Sequence, residues 1–197
     1  MPDTLRQHWI GPDAEKGTVA SIATLGPRGT SSEQAALYLW ADRGTSGPAT
    51  IELHDTYEQA GAALFDGTAT HLLVANAYAH VNTFYMSPKL RLAGAFVFDT
   101  PQYGIAVSPG HAVGSRPRIA SHPAPVPLIE ELIPDEYRAA ELVLADSTSA
   151  AAAKAQALDT DLALTTEPAA KANHLQFISR TRPIRMLWSV FQLGTSD

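Results

Sequence analysis

Apolar residues along this chain gather into short runs, several of them β-branched or leucine-rich, and these alternate with longer stretches whose apolar positions recur at helical spacing. The runs predict strands over 19–25, 51–53, 71–75, 92–98, 103–107, 118–121, 142–145, 162–165, 175–178 and 187–193. The stretches between them predict helices over 31–41, 57–65, 126–133, 148–158 and 167–172. Strand and helix in alternation mark an α/β protein. The alternation breaks once, where AGAFVFD and YGIAV meet at Thr100-Pro101 with no helix between them. A chain that runs βαβαβ, then ββ, then βαβαβ, and closes on a further strand predicts two three-layer lobes joined by crossovers, with a ligand cleft between them. The expected boundaries are a polar tail over 1–17, a first lobe over 18–98 and 186–197, and a second over 99–185, together forming one domain.

Two helix starts carry more hydroxyls than capping requires. In TLGPRGTSSEQAALYLW, Thr30 followed three residues later by Glu33 reads as a capping box, which leaves Ser31 and Ser32 unexplained. The device recurs at Asp146-Ser147-Thr148-Ser149, ahead of a small-residue helix able to lie close to a sheet. Free first-turn N–H groups flanked by hydroxyls favour anions, so a pair of such starts suits a ligand with two carboxylates. The expected contacts are Thr30 and Ser31 at one start, and Ser147, Thr148 and Ser149 at the other. After the third strand, ANAYAHVNTFYM offers Asn76, Tyr78, His80, Asn82 and Tyr85 as a wall of aromatic faces and hydrogen-bonding groups. His122, at a strand end and followed by proline in IASHPAP, is held where a binding loop would lie.

Composition narrows the chemistry. The 197 residues are 45% hydrophobic and 17% charged, with a formal net charge of −6, so nucleic acid is not the expected partner. The tightest basic cluster is Arg180, Arg182 and Arg185. The absence of cysteine excludes disulfides and thiolate nucleophiles, and no HExxH, GxSxG, phosphate-loop or dinucleotide fingerprint is present. No metal and no cofactor is expected. No stretch approaches the roughly 18 apolar residues of a membrane span, and the start of the chain lacks the basic and apolar regions of a secretory signal, so the expected setting is cytoplasmic.

With these segments in view, LGPRGTSSEQAA resembles the LGP-x-GT-x-SE-x-AA signature of prephenate dehydratases, and SHP, STSAAAA and the last strand are similar to later blocks of that family in the same order. The resemblance runs from about Ala20 to Gly194 and implies a bilobal fold of the type II periplasmic-binding-protein kind. It also implies prephenate as the small-molecule ligand, no membrane partner, and pairing into a homodimer as an option. Two departures stand out. The family's Pro-x-Glu-Asn segment after the third strand corresponds here to Ala75-Asn76-Ala77-Tyr78. Its C-terminal Thr-Arg-Phe triplet, whose threonine is implicated in expelling the 4-hydroxyl, corresponds to Trp188-Ser189-Val190.

AYAHVNTFYMSPKLRL, DTPQYGIAV, SHPAP, DSTSAAAAK and MLWSVF instead resemble the non-aromatising prephenate decarboxylases, the branch that serves bacilysin-type and anticapsin-type antibiotic biosynthesis. The resemblance implies loss of CO2 with the 4-hydroxyl retained. In that reading Trp188 replaces the expelling acid, His122, Tyr78, His80 and Glu167 are candidate proton donors in that order, and Tyr85, Tyr103 and Ser189 join the substrate contacts. The alternatives are a dehydratase with an unusual site and a non-catalytic module that binds an anionic metabolite.

Overall fold

The computed structural model describes residues 9–11 and 18–194, and these fall into two compact units. The first takes in the chain as far as Pro27, Ser32–Asp99 and the stretch from Arg185 onward; the second takes in Arg28–Ser31 and Thr100–Ile184.

The first unit is built on strands β1 (Ile22–Leu25), β2 (Ile51–His54), β3 (His71–Ala75), β4 (Leu90–Asp99) and β10 (Arg185–Leu193), in the order β2-β1-β3-β10-β4. β1, β2 and β3 are parallel, and β10 runs antiparallel to both β3 and β4. Helix α1 (Ser31–Arg43) covers one face, where Tyr38 stacks on Phe98 and meets Phe96. Helices α2 (Tyr57–Phe65) and α3 (Asn82–Tyr85) cover the other: Phe84 packs against Gly61 and Phe191. Leu72, Leu73, Phe96, Trp188 and Phe191 are sealed in the resulting core, which makes the sheet the rigid base on which the loops are mounted. α2 starts cleanly because the Thr56 hydroxyl accepts from the Gln59 N–H at 3.1 Å while the Gln59 side chain accepts from the Asp55 N–H at 3.1 Å.

The second unit repeats this plan. Its strands are β5 (Tyr103–Val107), β6 (Arg118–Ser121), β7 (Glu141–Leu144), β8 (Leu162–Thr166) and β9 (Gln176–Phe177), in the order β7-β6-β8-β5-β9, with β6, β7 and β8 parallel and β5 antiparallel. α4 (Pro127–Leu132) lies on the face of Ile105, Ile119, Leu162 and Leu164. α5 (Thr148–Gln156) and α6 (Glu167–Ala172) lie on the face of Ala106, Ala120 and Ala163. Ala151, Ala152 and Ala155 meet those alanines with no long side chain between, so α5 comes close to the sheet, as its small-residue sequence leads one to expect.

The mixed α/β class and the fifteen predicted elements are present, with adjusted ends. The strand expected over 19–25 begins at Ile22, since Val19 makes only an isolated bridge to Gly44. β9 is two residues long because the Leu175 N–H turns back to the Ala170 carbonyl and closes α6. α3 and a 3-10 turn over Asp135–Tyr137 were not expected; one turn is too short to show a period. Most of the expected 1–17 tail lies outside the described residues. Its described part is not a loose tail: Ile10 pairs with Ala95, and the Trp9 ring occupies the space over Gly94, where a Cβ would lie 2.1 Å from it.

Candidate active site

In parallel α/β sheets, ligands bind beyond the carboxyl ends of the strands, where loops and helix N-termini converge. In the first unit that edge carries the start of α1 after β1, the start of α2 after β2, and the loop after β3. Ser32, in the first turn of α1, places its hydroxyl 2.9 Å from the Tyr57 hydroxyl, and the Ala75 N–H at the end of β3 donates to the same phenol at 3.2 Å. Tyr57 thereby ties the three connections together. Its ring lies 4.7 Å from the ring of Tyr78, which in turn meets His80 edge-on at 5.6 Å. The Tyr78 hydroxyl donates to Glu58 Oε1 at 2.5 Å. Burial and then that bond push the Tyr78 phenol up to about 12, while the same bond holds the Glu58 carboxyl below its ordinary range.

Beside this group, three side chains form a closed ring. Ser189 Oγ donates to Asn76 Oδ1 at 2.7 Å, so its oxygen receives the Tyr85 hydroxyl, 2.5 Å away. Asn76 Nδ2 then donates to the Tyr85 oxygen at 3.3 Å. Each member gives one hydrogen bond and accepts one, and none carries charge. Strand alternation separates Ser189 from its neighbour: Trp188 points to the opposite face, fully buried, with its indole N–H on the Phe98 carbonyl at 3.2 Å.

In the second unit the same edge carries His122 after β6, the start of α5 after β7 and the start of α6 after β8. Ser147 is the cap of α5, its oxygen accepting from the Ala150 N–H at 3.0 Å. Ser149 donates to the Arg28 carbonyl and Thr166 to the Gly29 carbonyl, each at 3.0 Å, and so they clamp the Arg28–Ser31 turn. Gly29 needs its left-handed φ of +86° to make that turn. Ser31 Oγ lies 3.0 Å from the Tyr103 hydroxyl; both are buried, and burial raises the Tyr103 phenol. Thr148 is 7% exposed, and its hydroxyl makes no hydrogen bond among the described residues. His122 Nδ1 accepts from the Ala124 N–H at 3.2 Å, which leaves the neutral ring its proton on Nε2. Burial lowers the His122 pKa against the opposing pull of Asp146. Glu167 is exposed at the first position of α6. Arg180 and Arg182 both pair with Glu131, which accounts for two members of the basic cluster.

The model of one family, prephenate dehydratase, matches residues 22–181. The chain belongs to the prephenate dehydratase family. Within it, a curated prephenate decarboxylase of Planktothrix agardhii is 39% identical over 176 residues, with 86% of each chain covered. One from Bacillus subtilis is 36% identical over 182 residues, covering 88% of this chain and 87% of that one. Among solved structures, the prephenate dehydratase of Arthrobacter aurescens, in complex with L-Phe, superposes with a TM-score of 0.71 at 17% identity. That match covers 90% of this chain and 61% of the other. A likeness at that identity establishes the fold, one of the prephenate dehydratase and periplasmic-binding-protein kind.

Against the family pattern, the positions that correspond to the Thr-Arg pair divide between the two sides of β10. Trp188, expected to stand in for the expelling threonine, is a core residue with no exposed face. Ser189, on the side of α3, belongs to the ring with Asn76 and Tyr85. Ser32, Tyr57, Glu58 and Thr166 were not among the expected site residues. Their partners lie 18 to 137 positions away, so only the fold brings them together. The one sequence signal was the surplus hydroxyl at Ser32.

Proposed function

We propose that this protein is a cofactor-independent prephenate decarboxylase that removes CO2 without aromatising the ring. The neutral ring of Asn76, Tyr85 and Ser189 is the observation that carries the reading, together with the decarboxylase names of relatives at 36–39% identity. When the bond from C1 of the cyclohexadiene to its carboxylate breaks, the electron pair enters the diene. It leaves either by expelling hydroxide from C4, which yields an aromatic ring, or by taking a proton at a ring carbon, which keeps the hydroxyl and moves the double bonds. Expulsion needs a proton donor at the 4-hydroxyl. In Asn76, Tyr85 and Ser189 both hydroxyl hydrogens are already engaged within the ring, and no arginine stands where the family's triplet has one.

The start of α5 supplies a grip. The Thr148 hydroxyl and the free hydrogen of the Ser147 cap offer a carboxylate two donors beside first-turn N–H groups. Firm binding at a carboxylate remote from the breaking bond contributes to reactivity at that bond. His122 serves as a neutral Nε2–H donor, because a proton added at Nδ1 would face the Ala124 N–H.

Incubating the purified protein with prephenate and identifying the product tests the reading. A hydroxylated, non-aromatic pyruvate derivative with release of CO2 is expected. Phenylpyruvate as the main product would identify a dehydratase, and saturable binding without turnover a binding module.

A further inference from the structure

The Tyr78–Glu58 pair assigns a role to a residue that the sequence left unremarked. Tyr78 follows Asn76 by two positions on the loop after β3, and Asn76 holds Ser189, at the place of the family's triplet. A phenol on that loop is an alternative acid for the 4-hydroxyl, able with its hydrogen free to do the work of the missing threonine. The hydrogen is not free, because it lies on Glu58 Oε1. Glu58 is exposed in the first turn of α2, where its carboxylate also meets the Thr56 cap and the first-turn N–H groups, but the bond to Tyr78 is its leading contact. The Tyr78 ring is fixed independently, by its contacts with Tyr57 and His80.

We propose that Glu58 determines the outcome of the reaction: by accepting the Tyr78 hydroxyl hydrogen it leaves the phenol oxygen only lone pairs to offer, so Tyr78 receives a hydrogen bond from the substrate's 4-hydroxyl and cannot protonate it. A hydroxyl that donates is a poor leaving group, and the electron pair released with CO2 is therefore quenched by a proton at ring carbon. With the phenolic hydrogen released, the same pair can expel the 4-hydroxyl as water, the added proton coming from Tyr78 and being restored by solvent. Glu58 acts through Tyr78 and is a positioning residue. This inference rests on the decarboxylase reading.

The test measures the ratio of phenylpyruvate to hydroxyl-retaining product from prephenate, against an enzyme-free control, for wild type, Glu58→Ala, Glu58→Gln, Tyr78→Phe and the Glu58→Ala/Tyr78→Phe double variant. Glu58→Ala should raise the aromatic fraction at least about tenfold, a part of the roughly 100-fold or more that a placed acid contributes. Glu58→Gln, whose amide oxygen still accepts, should raise it less. The double variant should fall back to the level of Tyr78→Phe, because no phenolic hydrogen remains. A folded Glu58→Ala protein with the wild-type ratio, or a double variant as aromatising as Glu58→Ala, overturns the inference. Wild type that makes mainly phenylpyruvate overturns the decarboxylase reading and this inference with it, whereas retained hydroxyl with an unmoved Glu58→Ala ratio overturns this inference alone.

Discussion

Ser189 donates its hydroxyl hydrogen to Asn76 Oδ1 across 2.7 Å, joining the middle of β10 to the loop that leaves β3. Ser189 is fully buried, whereas Tyr85 is 38% exposed and Asn76 half-buried, so water can replace part of what they lose when the serine is removed. Ser189→Ala should cost about 0.5–1.5 kcal/mol of stability, the net range for a typical hydrogen bond. Denaturant unfolding of the two proteins reads this directly; an unchanged midpoint would mean that the ring contributes nothing to folding.

The hydroxyls at the start of α5 should separate in their effects. Ser147→Ala removes a cap and should lower stability by about 1 kcal/mol. Thr148→Ala touches no intramolecular hydrogen bond of that hydroxyl and should leave the melting temperature nearly unchanged, while raising KM severalfold with kcat retained, if the contact is equal in ground and transition states. Steady-state kinetics beside thermal melts distinguish the two, and a Thr148→Ala enzyme with wild-type KM would remove the carboxylate contact.

His122 acts here as a neutral donor, and its lowered pKa sets the direction of the pH response. Activity should be full above the ordinary histidine range and fall on the acid side as the ring takes a second proton, with a midpoint below 6.5, the reference value of an unperturbed histidine. The pH profile of kcat/KM checks this, and His122→Gln should retain part of the rate because its amide can still donate. A profile that rises toward acid would restore His122 as the proton donor.

His71 gives the fold a pH limit of its own. Thr70 Oγ1 donates to the Ser21 carbonyl, so it accepts from His71 Nδ1; the other ring nitrogen faces the Gln192 amide nitrogen, whose partner oxygen is held by Arg91. Burial lowers the His71 pKa to about 4. Above the ordinary value of 6.5 the ring is neutral in both folded and unfolded chains, and its contribution is complete. As pH falls from there toward 4, the unfolded chain binds the proton first and stability is lost, by about 3 kcal/mol in all at 1.36 kcal/mol per pH unit. Unfolding curves at a series of pH values should show that slope for wild type, and a flatter one for His71→Gln.

Much of the fold was legible because it depends on short-range pattern. Runs such as HLLVA and LALTT have every residue buried, and such runs read as strands without any partner in view. The surplus hydroxyls at Ser32 and Thr148 were visible for the same reason: a cap needs one, and the sequence supplies more. What could not be read was direction. Trp188 and Ser189 are adjacent, and only the register with Ala75 and Val74 decides which of them faces α3. Glu58 reads as an ordinary acid in a helix's first turn, favourable there for the helix dipole alone, and its bond to Tyr78 appears only when β3 and α2 are brought side by side.

The ring of Asn76, Tyr85 and Ser189 also constrains how this branch of the family can change. Because every member both gives and takes, an arginine restored at 189 would face an amide and a phenol with no carboxylate to meet its charge. That single step passes through a poorly satisfied protein, so an arginine at 189 calls for an accompanying change at 76 or 85, and sequences that carry it beside an otherwise intact ring should be scarce.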